Sequence, residues 1–501
     1  MDLPDAPKDE SARASTEITQ DSVPTRSTWR SVLIVATTTL AMVTNIASST
    51  APSIFLPVIG RDLNIEEDQL QWLVSSFSLS SGCLLLLLGR LADLFGRKKF
   101  FLLGTGWLVI FSLGCGFAKN ATTIYILRGL QGIGPAAFIP ACLGILAHTF
   151  PPGRARSVAF ATFSAGAPVG GTLGTQLGAV LVQKTDPTWR SPFFLFAGMA
   201  ALCLIGGLLT IDSDIPTPDT DRRVDWIGAF LITVGLALLL FVLGQGQLAP
   251  NGWKTAYIIA LLISEGKLRP PLMKLTLWTR ANGRFAVIQT IAFLNWATFI
   301  SWYFWLQVYF EDFLHLSPVR TAVRLLPMPV TGIMLNAIVA LVIGRIPFFV
   351  LIALGTGFTG IGALLIAIMR PQVTYWAYDF VALVASVFGA DFVFAGGTIF
   401  VAKVALPGEQ SVAGGLFQTL TQLGTAFGLA ITTIVHNAAG GEGVGDDVPL
   451  KAYRAAQWTC FGMAMLGTVL AIGFLRGVGP VGGPDEPPPE KDRDVPVPHE
   501  T

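Results

Sequence analysis

Two ionisable residues stand inside apolar runs, where charge is costly. Asp391 lies in Phe388-Gly389-Ala390-Asp391-Phe392-Val393-Phe394, near the middle of a run over 376–402, with no basic residue within a helical turn or two. A carboxyl there must hold a proton or hydrogen-bond to a neighbouring helix. A proton gained on one side and lost on the other is the elementary step of coupled transport. Arg128 lies a few residues into a run over 122–149, in Arg128-Gly129-Leu130-Gln131-Gly132-Ile133-Gly134. A guanidinium in hydrocarbon costs about 3 kcal/mol or more, so it faces a cavity, finds a partner or snorkels to the outer interface. Asp379, Glu311, Asp312 and His148 fall at run ends and read as interfacial, while Asp225 opens a run where an N-terminal carboxylate is stabilising.

Embedded amides and rings supply the candidates for substrate contact: Gln131, Asn295, Trp296 and Phe299. The last three share a segment with Phe293, Trp302, Tyr303, Phe304 and Trp305. A cavity lined with rings and few polar groups accepts amphipathic organic molecules. An aromatic belt at the outer surface is the ordinary alternative, above all for Trp302 and Trp305. Gln289, Asn336, Gln418 and Gln422 face either a substrate or a partner helix. Other chemistries find no support. The chain has no GxxxxGK[ST], no cluster of catalytic groups at one interface and no repeated filter sequence, so an ATP-driven pump, an enzyme and a channel are not expected. Five cysteines, all in apolar runs and without CxxC spacing, argue against a disulfide framework and a metal site. No cofactor is expected, and a net charge of +1 gives no reason for a nucleic-acid partner.

The elements that must position these residues are membrane helices. Charged residues make up 13% of the 501, against roughly 25% in soluble proteins. The apolar share is 52% and the mean hydropathy +0.61. The apolar residues cluster in runs near the ~20 residues that cross a bilayer core at about 1.5 Å each. Six runs come first, at 32–57, 69–90, 100–118, 122–149, 157–183 and 191–211. Two follow a polar stretch, at 226–245 and 254–265, and six more lie at 286–310, 321–343, 347–369, 376–402, 411–437 and 456–475.

This pattern predicts a disordered cytoplasmic tail (1–30), a six-helix bundle (31–211), a linker with two extra spans (212–285), a second six-helix bundle (286–476) and a disordered tail (477–501). Loops assigned to the cytoplasm hold Arg90, Arg97, Lys98, Lys99, Arg154, Arg156, Arg222 and Arg223, against Arg61, Lys119, Lys184 and Arg190 outside, which orients the first half. The eighth run is short, because Ala256–Ile263 meets Glu265, Lys267, Arg269 and two prolines. A forced short span and a lost stretch of sequence explain it equally well.

Between runs two and three stands Gly89-Arg90-Leu91-Ala92-Asp93-Leu94-Phe95-Gly96-Arg97-Lys98-Lys99. It resembles the signature loop of the major facilitator superfamily, G-x-L-A-D-x-x-G-R-K-x, at nearly every defined position. Gly89 lets helices approach closely and Gly96 permits a tight turn. Asp93 caps a helix N-terminus or pairs with a basic residue across the bundle interface. The resemblance implies that Gly89, Asp93, Gly96 and Arg97 gate the cytoplasmic side. The Arg128 stretch resembles the family's R-x-x-Q-G-x-G element, which implies that Arg128 lines the central cavity and takes part in proton handling. Ser164–Gly174 is similar to the family's antiporter element, which implies export through Gly166, Pro168, Gly170 and Gly171. Its spacing is one residue shorter than G-P-x-x-G-G, and small-residue packing without directional meaning stands beside that reading.

The two extra central spans make the chain similar to the fourteen-span drug–proton antiporters, above all the fungal members tied to toxin resistance and secondary-metabolite export. Trp302-Tyr303-Phe304-Trp305-Leu306-Gln307 and Ala402–Gln410 agree. One departure matters. Many members carry an acid in span one, within L-D-x-T-I-V-N-V-A-L-P; aligned on Leu56-Pro57, that acid's place holds Ser48.

The expectation is therefore an all-α membrane protein of the major-facilitator fold, two six-helix bundles with two extra central helices, 14 spans in all. Its implied work is proton-coupled efflux of small amphipathic organic compounds by alternating access. The proton carriers are Arg128 and Asp391, and the partners are the substrate, protons and the bilayer. A monomer in the plasma membrane is expected, with the vacuolar membrane second. An importer or exporter of a small inorganic or nutrient species stays open, as does a non-transporting sensor of the same fold.

Overall fold

In the computed structural model of the chain, the residues described are 27–65, 72–151, 153–186, 188–213, 276–316, 318–406, 409–440 and 449–481, with a few positions between 226 and 238. The runs at 226–245 and 254–265 fall almost wholly outside the described residues, and so does the fourteen-span count. The greater part of both tails lies outside them too.

The first half begins with α1 (Thr28–Thr50), long and apolar enough to cross a membrane, and α2 (Pro52–Leu63), which follows it after a kink and carries Arg61 and Asp62 in its last turn. Pro52 has no N–H to offer the carbonyl four residues back, so the Ser48 carbonyl is released at the kink. Then come α3 (Trp72–Phe95), α4 (Arg97–Gly116), α5 (Ala121–Thr149), α6 (Arg154–Lys184) and α7 (Ser191–Thr210). The signature stretch is not a loop throughout: Gly89–Phe95 is the end of α3, and only Gly96, at φ 119°, breaks the helix. That left-handed region is open to glycine and closed to most side chains.

The second half holds α8 (Arg284–Val308) with a π-helical turn at Tyr309–Phe313, then α9 (Pro318–Leu325) and α10 (Pro327–Val342). It continues with α11 (Phe348–Ile368), α12 (Asp379–Val404), α13 (Gln410–Ala438) and α14 (Leu450–Phe474). Among the described residues, ten helical segments are long and apolar enough to cross a membrane. The two exceptions of comparable length are α6 and α13, which are rich in Gly and Thr.

Each half packs mainly on itself. In the first, α1 lies on α6 and α7, α3 on α5, and α4 on α5 and α7; in the second, α8 lies on α13 and α14, α11 on α12 and α14, and α10 on α12. The halves meet where α13 crosses α3 and α5, and where α6 crosses α10 and α12. The two polar-rich helices are therefore the ones at the joint. Bare glycine surfaces bring backbones together there without a large apolar driving force, as helix packing in lipid requires.

The end of the first half away from the signature stretch is tied by Asp62, which accepts from Trp189 Nε1 at 2.8 Å and Arg190 Nη1 at 2.9 Å. The Trp189 and Arg190 hydrogen bonds hold its carboxyl below the usual range. Trp302 and Trp305 correct the belt expectation. Trp302 is wholly buried, and Trp305 stacks on His436 at 4.0 Å between α8 and α13, so both rings pack helices rather than face the interface. Phe304 is the exposed ring of that group.

Candidate functional site

Hydrogen bonds that cross between the halves gather at the end that holds the signature stretch. Asp93, in the last turn of α3, has no exposed side-chain surface. Its Oδ1 accepts from Arg97 Nε at 2.9 Å and pairs with Nη2 at 2.9 Å. Its Oδ2 accepts the backbone N–H of Ser411 at 2.8 Å and of Val412 at 3.0 Å, in the first turn of α13. Of the two roles expected for Asp93, capping a helix across the interface is the one observed. The basic partner is its own neighbour on the next helix.

Arg97 extends the network to the Gly144 carbonyl at 3.0 Å and to Gln410 Oε1 at 3.2 Å. The carboxylate thus meets a guanidinium and the positive end of a helix dipole at once. Nearby, Arg156 Nη2 donates to the Ala402 carbonyl at 2.8 Å, satisfying a C-terminal group of α12 from the other half. Arg280 pairs with Glu409 at 2.7 Å just before α13.

Glycines fix this contact. A Cβ at Gly89 would lie 2.9 Å from the Ser411 carbonyl, and one at Gly144 would strike Ser411 Oγ and Arg97 Nε. Gln410, Gly144 and Arg156 were not legible as site residues. Their role depends on which helix lies opposite, and no local spacing encodes that.

Deeper in the membrane the polar groups are poorly satisfied. Asp391 is buried in α12, beside Asn336 of α10, and its Oδ2 has no hydrogen-bond partner. Asn336 Nδ2 donates to the Gly332 carbonyl at 2.9 Å, while its Oδ1 is unpartnered. A Cβ at Gly332 would lie 2.9 Å from Pro168 Cβ and 3.3 Å from Asp391 Oδ2. The proline of the antiporter-like element in one half therefore approaches the embedded acid of the other across a single glycine. Neither residue's sequence surroundings predict that meeting.

The rest of the element divides. Gly166 and Gly170 face α1, where a Cβ would crowd the Thr39 and Val43 carbonyls at 2.9 and 2.5 Å. Gly171 has only an ordinary contact with Ile46.

The predicted substrate residues do not form one group. Asn295 and Gln289 are buried in α8 with both amide atoms unpartnered, and a Cβ at Gly389 would sit 2.6 Å from Asn295 Oδ1. Asn295 thus lies within a turn of Asp391. Trp296 packs on Phe394 at 5.5 Å, and Phe299 is half-buried. Gln131 belongs elsewhere: it accepts from Arg128 Nη1 at 2.7 Å and donates to Ser112 Oγ at 2.7 Å.

Arg128 itself is fully buried, which removes the snorkelling alternative. Its Nε donates to the Leu73 carbonyl at 2.7 Å and its Nη1 to the Ser48 carbonyl at 3.0 Å, the group that Pro52 releases. Phe77 covers the guanidinium at 4.6 Å. Asp379, the first residue of α12, is buried in the wall of a cavity of about 190 Å³ with Arg324, Arg370 and Tyr375.

Comparison with known proteins agrees with this architecture. The profile of the Major Facilitator Superfamily matches residues 38–429. The chain is 29% identical over 479 residues to the low affinity ammonium transporter of Saccharomyces cerevisiae, covering 91% of this chain and 90% of that one. It is 28% identical over 440 residues to efflux pump terJ of Aspergillus terreus, covering 84% and 83%. Among solved structures, the human organic anion transporter MFSD10 (TETRAN) superposes with a TM-score of 0.65 over 88% of this chain and 99% of that one. At 16% identity this is a likeness of fold alone.

Proposed function

The chain belongs to the Major Facilitator Superfamily, and from that premise we propose that it exports small amphipathic organic compounds in exchange for protons. It is a multi-pass membrane transporter, not an enzyme. The observation that carries the proposal is Asp391: a buried carboxyl with an unpartnered oxygen, seated on α12 where α10 and Pro168 of α6 meet. A proton on that oxygen removes the charge and lets the joint close; its loss leaves a charge that draws water and opens the joint. Proton exchange and rocking of the halves are thereby one event.

Asn295 and Gln289, with unpartnered amides in the same half, offer hydrogen bonds to a substrate beside Trp296 and Phe299. Asp93, Arg97, Gly89 and Gly96 hold the cytoplasmic end shut while the outer side loads or releases. Gly166 and Gly170 let α6 slide on α1. Arg128 acts on the proton cycle only through its charge, since a guanidinium stays protonated. The similarity to efflux pump terJ supports export, and we place the protein as a monomer in the plasma membrane, with the vacuolar membrane second.

Accumulation of fluorescent amphiphiles in pump-deficient yeast tests this reading. Expression of the chain is expected to lower accumulation, and a protonophore or Asp391→Asn is expected to restore it at equal surface expression. Accumulation unchanged by the wild-type chain would sink export of such compounds. The similarity to an ammonium transporter favours a second reading, movement of a small inorganic species, which ammonium-dependent growth of the same strains distinguishes.

A further inference from the structure

We propose that Arg128, Ser48 and Ser76 form a buried site for a small monoanion, either a halide or the carboxylate of an organic substrate. Arg128 lies seven residues into α5, roughly 10 Å from its outer end at 1.5 Å per residue, and is wholly buried. Its charge is permanent. Yet every hydrogen bond it makes among the described residues goes to a neutral acceptor: the Leu73 and Ser48 carbonyls and Gln131 Oε1. Of the described carboxylates at that end of the same half, Asp62 is committed to Trp189 and Arg190, and Asp186 stands in an exposed turn.

Three polar groups then find no partner: Arg128 Nη2, Ser48 Oγ and Ser76 Oγ. Each serine either is bonded to the guanidinium through its carbonyl or stands one helical turn from a residue that is. The Ser48 carbonyl is 3.0 Å from Arg128 Nη1, and Ser76 lies one helical turn beyond Leu73, whose carbonyl holds Nε. Phe77 covers a face of the guanidinium and leaves its edge for in-plane hydrogen bonds.

A cluster of donors around an uncompensated charge, in a medium of low dielectric, is complementary to a negative charge. One positive charge selects a monoanion, and the enclosing helices select a small one. Only the substrate form of this site rests on the export reading; the halide form does not.

The test is thermal unfolding of the purified full-length protein in detergent, in chloride, bromide, acetate, benzoate or sulfate at equal ionic strength. Wild type and Ser48→Asp, Ser48→Asn and Arg128→Gln are compared. A monoanion is expected to raise the wild-type midpoint by a few degrees, with saturation. Ser48→Asp supplies an internal carboxylate, so it is expected to raise the midpoint in sulfate and lose the anion dependence, while Ser48→Asn keeps it. Arg128→Gln loses the dependence outright. A response to chloride and bromide assigns a halide site; a response to acetate and benzoate assigns a substrate carboxylate. A wild-type midpoint indifferent to all four monoanions overturns the proposal without recourse to any variant. So does one salt series shared by wild type and Ser48→Asp. None of these readouts involves transport, so the site stands or falls apart from export.

Discussion

Asp93 and Asp391 are both buried, under opposite conditions. Asp93 has a partner for each oxygen: two guanidinium N–H groups on one, two backbone N–H groups of α13 on the other. Asp391 has an oxygen with no partner at all, beside amides at Asn295 and Asn336 that are themselves incompletely bonded. A fully partnered charge is held in place and fastens what it touches. A buried carboxyl left short of partners is free to change its protonation and its neighbours. The first belongs to a latch and the second to a moving part.

Breaking the latch is expected to have the largest effect. Asp93→Ala strands Arg97 and the first turn of α13, a loss of about 3–5 kcal/mol for a broken buried pair. The unfolding midpoint should fall by several degrees, and transport by 100-fold or more at equal surface expression. Asp391→Asn reverses the pattern, with coupling lost and the midpoint held or raised, because no satisfied pair is broken. Paired calorimetry of the two variants checks the contrast.

Next comes Gly144→Ala, whose methyl would strike Ser411 Oγ and Arg97. Overpacking of about 1–3 kcal/mol falls on the closed cytoplasmic end alone, and should appear as faster labelling of a cytoplasmic-side cysteine probe. Gly170→Ala against Gly171→Ala sharpens the reading of α6. The first meets the Val43 carbonyl at 2.5 Å and should slow transport several-fold; the second meets only Ile46 at 3.8 Å and should be neutral.

The smallest effect is expected at Asp62, which is half-exposed. Its folded-state value is depressed, so its contribution is present above the ordinary carboxylate range and lost as the pH falls through the folded value. After solvent screening, Asp62→Asn should cost under about 1 kcal/mol at pH 7. The difference from wild type should vanish in strong acid, as read from melting curves at both pH values.

The apolar runs located the ten described helical segments that are long and apolar enough to cross a membrane, because a bilayer demands long apolar helices and little else produces them. Asp391 and Arg128 were legible for the same reason, as charges where hydrocarbon penalises them. The missing acid at Ser48 was legible too, but not its consequence, since the Arg128–Ser48 contact depends on a carbonyl released by Pro52 and read from a helix 80 residues away. The latch was half legible: the signature named Asp93 and Arg97. Their acceptors and donors on α13 lie 318 residues on and have no sequence mark of their own. The Pro168–Gly332–Asp391 meeting was hidden because packing between two halves is set by tertiary geometry, not by any local period. Trp302 and Trp305 misled for the opposite reason: aromatic rings near a helix end fit a belt and a core equally well.

The central claim, that Asp391 carries the coupled proton, is tested most directly with purified protein in proteoliposomes holding a pH dye. An outwardly imposed substrate gradient is expected to drive proton movement in wild type and none in Asp391→Asn, while substrate binding to the variant persists. Equal substrate-driven pH change in wild type and Asp391→Asn would contradict the account and leave Asp391 a structural group.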